Sequence, residues 1–241
     1  MITRWLVFLM SLLAAAPAAA QVYMPTFQNS TMLLDVYAYS FPTAKTATPP
    51  PRSSSDSNAS PRDGQAAPAN TRYRPSSAVT ERVQRRFVAF IGQQSGPAGA
   101  REMEKVLATQ DPTTSWLAVV GRDGLVPNDL VDAITAYWVL NWNVANQTDS
   151  TREQMQGARA QVRRAVAANP ALSRLDEAGR QDLAEALVLN FLVQHAAFRD
   201  AAQVGDRVLM RRLSDAAVAR FRNEAHLDLR GLKLTSRGFT P

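Results

Sequence analysis

The chain has 241 residues, 27 Lys and Arg against 21 Asp and Glu, and a formal net charge of +6. It has no cysteine and two histidines, which excludes disulfides, thiolate metal sites, cysteine nucleophiles and a three-histidine metal centre within one chain. The length holds one or two domains, not a large multidomain enzyme.

Residues 1–20 read as an export signal. Arg4 gives a positive start, and Trp5 to Ala16 are apolar apart from Ser11. Pro17 then breaks the run, and Ala18-Ala19-Ala20 supplies the small-residue pattern that predicts cleavage after Ala20. The apolar run is too short for the roughly 20 residues that a membrane-spanning helix needs, so no transmembrane span is expected after cleavage. An exported chain without cysteine stands on its core alone, unlike most disulfide-bearing secreted eukaryotic domains. Arginine also outnumbers lysine by 24 to 3, as a GC-rich coding genome would give. Together these predict a bacterial protein, periplasmic or secreted.

Residues 21–40 form an apolar segment carrying Phe27, Leu33, Leu34, Val36, Tyr37 and Tyr39, enough to dock on the domain or on a partner. Residues 41–77 are dominated by Pro, Ser, Ala, Thr, Asn and Arg, a composition with too few large apolar groups to offset the entropy of ordering. A disordered linker is expected there.

From residue 78 the apolar spacing becomes helical. Val79, Val83, Phe87, Phe90 and Ile91 make one stripe, with Gly92 as the expected stop and a weaker helix over 99–109. Trp116 to Val120 read as a short buried turn closed by Gly121 and Gly124. A helix is expected from near Pro127 to about Gln147, with Leu130, Ile134, Trp138 and Trp142 at steps of four and little polar face. Ser150 and Glu153 suggest a capping box for a helix reaching Asn169. Further helices are predicted over 176–204 and 206–225, then an extended tail over 227–239 lying across the bundle. The expectation is all-α: one bundle of five or six helices over 78–241.

The sequence has no HExxH, GxSxG, Walker, GxGxxG or EF-hand pattern, and no Glu-x-x-His pair of the kind that binds metals in helical bundles. It therefore calls for no cofactor or metal and leans away from an enzyme. His195 reads as a structural or surface residue, and His226 suits a helix C-terminus as a cation. Asn141, Asn190 and Gln194 fall on apolar faces near Trp138, which implies a buried polar network or a small-ligand pocket. Arg152, Arg159 and Arg163 share one face of the 150–169 helix, and Arg207 and Arg211 add a second basic cluster. The first face reads either as a dock for an anionic surface or as a solvated face whose partners lie on other helices. Nucleic acid is a poor candidate, because an exported protein rarely meets it and residues 79–241 carry 21 basic to 18 acidic groups.

Gly124-Leu125-Val126-Pro127 leads into Asp129-Leu130-Val131-Asp132-Ala133 and Tyr137-Trp138, and the chain closes on Leu227-Asp228-Leu229, Leu232-Lys233-Leu234-Thr235 and Gly238-Phe239. With the leader and linker ahead of it, this order over 79–239 resembles a family of exported bacterial helical proteins described only as a domain of unknown function. The resemblance implies a helical fold and export, and carries no catalytic residue. The reading is a non-catalytic cell-envelope module whose partner is an envelope protein or an anionic envelope component. Its alternative is a ligand binder or enzyme with a site between the two most apolar helices.

Overall fold

The computed structural model describes residues 70–241. The expected signal peptide (1–20), the apolar segment (21–40) and the linker as far as residue 69 lie outside the described residues. Seven helices and a two-stranded hairpin make up the described part.

The first helix, α1 (Ser77–Thr109), runs through Gly92 and breaks at Gly96 instead. Gly96 has φ +77, a conformation that only glycine adopts cheaply, and Pro97 restarts the helix with its preset φ. Gly92 itself is compatible with helix, so spacing alone misplaced the stop. Trp116 lies not in a turn but in α2 (Pro112–Val120), whose first amides are capped by the Asp111 carboxylate. A 3₁₀ turn, Gly121–Asp123, follows.

The centre of the molecule is α3 (Leu130–Asn146), with 15 of its 17 residues buried. Pro127 precedes it in the loop, and Asp129 caps it by accepting from the Val131 amide at 2.9 Å. Next come α4 (Arg152–Ala168), the short α5 (Pro170–Ser173), α6 (Glu177–Gln203) and α7 (Arg207–Ala225). Helices α4, α6 and α7 surround α3, while α1 and α2 lie on α6. The α4 capping box is Thr151 with Gln154, one residue beyond the Ser150–Glu153 pair that the sequence suggested. Glutamine serves there as well as glutamate, because its amide oxygen accepts from the Thr151 N–H at 2.8 Å.

The tail is not simply extended. A 3₁₀ turn, Leu229–Gly231, leads into β1 (Lys233–Thr235), which pairs antiparallel with β2 (Gly238–Thr240). Gln161 of α4 acts as a rung of this hairpin: its amide donates to the Phe239 carbonyl at 3.0 Å and accepts from the Phe239 N–H at 2.7 Å. Gln154 donates to the Leu234 carbonyl at 2.8 Å.

The end of the expected linker is also packed. Thr71 and Tyr73 are buried, the Leu130 amide donates to the Thr71 carbonyl at 2.9 Å, and the Tyr73 amide donates to Asn128. Arg180 holds the same segment by donating to the Arg72 carbonyl at 2.9 Å. Farther along, Asp182, nearly buried on α6, is clamped by Arg82 at 3.1 Å and Arg86 at 2.5 Å from α1. Among the described residues no helix is long and apolar enough to cross a membrane.

The hairpin turn sits directly on Gly157 of α4. A Cβ there would lie 2.4 Å from the backbone of Ser236 and 2.7 Å from the Gly238 amide. Replacing Gly157→Ala is expected to cost about 1–3 kcal/mol of stability, because backbone has to shift to make room. A urea midpoint equal to that of the parent chain would show that the hairpin is not seated there.

Candidate functional site

The three arginines expected to share a basic face of α4 have different surroundings. Arg159 turns inward and grips Asp132 of α3, with Nε 2.6 Å from Oδ1 and Nη2 2.7 Å from Oδ2. Asp132 is fully buried, and its Oδ2 also accepts from the Val126 amide at 2.8 Å. Burial is the largest influence on this carboxyl and pushes it up, against the pull of Arg159 and of the Val126 amide. Arg163 is half exposed, its Nη2 3.9 Å from the buried Asp129, which Arg72 approaches at the same distance. Arg152 is exposed, with its guanidinium beside Gly124 and its charge acting on the Asp123 carboxyl.

Arg152 begins a stripe that continues at four-residue steps through Gln156 and Ala160 to Arg164. Steps of four keep side chains on one helix face, and the stripe runs about 18 Å along the axis at 1.5 Å per residue. The hairpin turn, held close by Gly157, adds Ser236 and Arg237. Together with Glu153 these residues line an open groove of about 640 Å³. Gln156 is fixed by donating to the Asp123 carbonyl. Glu153, in the first turn of α4, has its carboxyl held below the usual range by its own backbone amide and the Thr151 hydroxyl. Among the described residues no carboxylate lies within 4.0 Å of the guanidinium of Arg152, Arg164 or Arg237. Guanidinium groups in this state offer bidentate hydrogen bonds to phosphate or carboxylate.

Two of the amides expected on apolar faces, Asn141 and Gln194, meet at a residue the sequence reading missed. Arg220 of α7 is buried and donates from Nη1 to Asn141 Oδ1 at 2.5 Å and to Gln194 Oε1 at 3.2 Å. Asn141 returns its own amide to the Tyr137 carbonyl at 2.7 Å. Asn190 donates to the Ala186 carbonyl one turn back on α6. Trp138 meets Phe221 edge-on at 5.4 Å and Phe239 at 6.1 Å, and Phe221 also stacks on Tyr137. The Tyr137 hydroxyl is pushed up to about 12, chiefly by burial, with the Arg220 charge opposing. Thus the Arg220 side chain bridges Asn141 and Gln194, two of the amides expected to line a pocket. The available signal was a lone arginine in the apolar run Ala216-Ala217-Val218-Ala219-Arg220-Phe221. Asp132 carried the same signal, a single carboxylate inside an apolar helix.

His195 stacks on Phe191 with centroids 5.6 Å apart and planes nearly parallel. His226 ends α7 in the left-handed conformation, φ +49, where its amide closes the helix on Arg222. Among the described residues no three His, Asp or Glu side chains converge as a metal site.

The chain belongs to a family of unknown function, DUF6683, whose model matches residues 2–240. The match takes in the helical domain, the hairpin and nearly all of the sequence ahead of them. No curated protein and no solved structure matches the chain.

Burial holds the His195 imidazole down to about 4, with the Arg199 charge adding to the effect. The unfolded chain titrates near 6.5, so between these values it binds the proton that the folded state refuses, and stability falls as pH falls. Replacing His195→Gln is expected to remove up to about 3 kcal/mol of that acid loss. Identical pH slopes of the urea midpoint in the two proteins would contradict this.

Proposed function

We propose that this chain is an exported, non-catalytic interaction module of the bacterial cell envelope that binds an anionic envelope component along the groove between α4 and the hairpin. The observation that carries the reading is the set of three arginines, Arg152, Arg164 and Arg237, that line one groove with no carboxylate within 4.0 Å of their guanidinium groups among the described residues. Arginines that serve the fold are engaged elsewhere, as Arg159 is with Asp132. Among the described residues Arg164 and Arg237 have no carboxylate within 4.0 Å and Arg152 meets Asp123 and Glu153 only at longer range, so the groove presents positive charge over a length that suits an extended ligand with several negative groups. Both walls are prepared in advance: α4 is fixed through Asp132, and the hairpin through Gln154 and Gln161. Such preorganisation reduces the ordering cost of binding.

Export is supported by the sequence of residues 1–20, and a tether by the Pro- and Ser-rich composition of 41–69. The envelope is where such a chain meets anionic polymers and headgroups. The non-catalytic part of the proposal rests on the sequence, which carries none of the hydrolase, nucleotide-binding or metal-binding patterns sought above, while the guanidinium and amide groups of the groove are suited to bind and orient anions.

Charge reversal tests the reading. The variant Arg152→Glu, Arg164→Glu, Arg237→Glu is expected to keep the thermal unfolding curve of the parent and to lose co-sedimentation with the isolated cell envelope by about tenfold or more. The parent's binding is expected to weaken as salt is raised. Envelope binding that survives all three reversals, at unchanged salt dependence, would overturn the groove as the binding surface.

A further inference from the structure

The turn between α6 and α7 presents two valines to solvent, Val204 and Val208, each 64% exposed. Apart from Leu117, at the margin with 36%, they are the large apolar side chains exposed among the described residues, and they sit four positions apart at one tip. The turn does not need them. Its backbone is satisfied internally, by Val204 N–H to Asp200, Gly205 N–H to Ala202 and Asp206 N–H to Ala201, with Gly205 at φ +70.

The charges beside the valines are equally out of place for stability. Arg207, Arg211 and Arg212 occupy the first two turns of α7, and Arg207 stands in the first turn, where the helix dipole favours acidic side chains and disfavours cations. No acidic residue lies in that first turn. Among the described residues none of the three arginines has a carboxylate within 4.0 Å. Of the nearby carboxylates, Asp206 caps α7 by accepting from the Leu209 amide at 2.9 Å and Asp215 binds Arg230 at 2.6 Å, while Asp200 is buried one turn before Val204 and pairs with none of the three arginines. Two exposed valines beside three arginines that make no short ion pair among the described residues, at a turn whose backbone needs neither, mark a surface kept for another purpose.

We propose that the α6–α7 turn is a docking tip for an anionic lipid bilayer, with Val204 and Val208 entering the acyl boundary and Arg207, Arg211 and Arg212 meeting lipid phosphates. The pairing of a small apolar tip with a collar of arginines matches the layering of a bilayer surface, apolar below and anionic at the headgroups. Two valines offer far less area than the roughly 800 Å² per partner of a stable protein–protein interface, which argues against a second copy as the occupant. The tip shares no residue with the groove and goes beyond the function proposed above, so either can fail alone.

The test uses the full chain and vesicles of phosphatidylcholine with or without phosphatidylglycerol. Because the chain has no cysteine, Val208→Cys and, as a control, Leu117→Cys each give a single labelling site for an environment-sensitive fluorophore. The label at 208 is expected to shift to the blue on phosphatidylglycerol vesicles and not on pure phosphatidylcholine, and the label at 117 is expected not to respond. The variant Arg207→Gln, Arg211→Gln, Arg212→Gln, carried on the 208-labelled chain, is expected to require roughly tenfold or more lipid for the same shift. A 208 label that stays silent on anionic vesicles overturns the proposal, even if the chain sediments with them through another segment. So does a shift that follows protein concentration without lipid, which would identify a second copy, and so does a response equal on both vesicle types.

Discussion

A helix buried on nearly every side imposes demands that the rest of this molecule answers. Fifteen of the 17 residues of α3 are out of solvent, so its ends and its few polar groups have to find partners inside the protein. Its first amides are met by Asp129 and by the Thr71 carbonyl of the incoming strand. At the other end, Gln147 turns left-handed at φ +51, and the Ala145 carbonyl accepts from Ser214 at 2.8 Å and from Arg230 at 3.3 Å. The Trp142 indole donates to Leu232 at 2.9 Å and draws the tail onto the bundle. Asp132 makes the heaviest demand. A buried carboxylate has to be paired and hydrogen-bonded, and Arg159 with the Val126 amide does both. That pairing orients α4, and the orientation of α4 decides which of its arginines face outward and where the hairpin seats on Gly157.

Much of the architecture was legible because apolar periodicity reports burial directly. The stripes through Val79–Ile91 and Leu130–Trp142 identify α1 and α3, and the near-absence of a polar face on α3 announces its central position. What periodicity misses is backbone chemistry. Gly92 and Gly96 are both plausible stops in the sequence, and only Gly96 is followed by a proline able to restart the helix. Ser150–Glu153 and Thr151–Gln154 are overlapping capping patterns, and the chain uses the one whose glutamine also reaches Leu234. The hairpin was hidden because its three-residue strands are too short to show alternation, and its pairing depends on Gln161, about 80 residues away in sequence.

The arginines show why the candidate sites were only half legible. A helical wheel places Arg152, Arg159 and Arg163 on one face, yet the wheel knows nothing of the neighbouring helix on which Asp132 sits. The same blindness hid Arg220, which joins Asn141 to Gln194 from a third helix, and Arg237, which completes the groove from the hairpin. Once the fold is in hand the arginines divide. Arg82, Arg86, Arg159, Arg180, Arg220 and Arg230 tie elements together, whereas Arg152, Arg164, Arg207, Arg211, Arg212 and Arg237 have no carboxylate within 4.0 Å among the described residues. That contrast says more than total charge does: one set holds the fold, and the other contributes no short ion pair to it.

Asp132 and Arg159 act as one structural unit and not as part of a binding face, and the placement of α4 depends on it. A double-mutant cycle with Asp132→Asn and Arg159→Gln, read by urea denaturation, measures this directly. Each single substitution is expected to cost about 3–5 kcal/mol, because it strands the other partner inside the protein. The double substitution is expected to cost far less than the sum of the two. Small, additive losses would contradict the account, by showing that Arg159 is free to serve the surface and that α4 is held in place by something else.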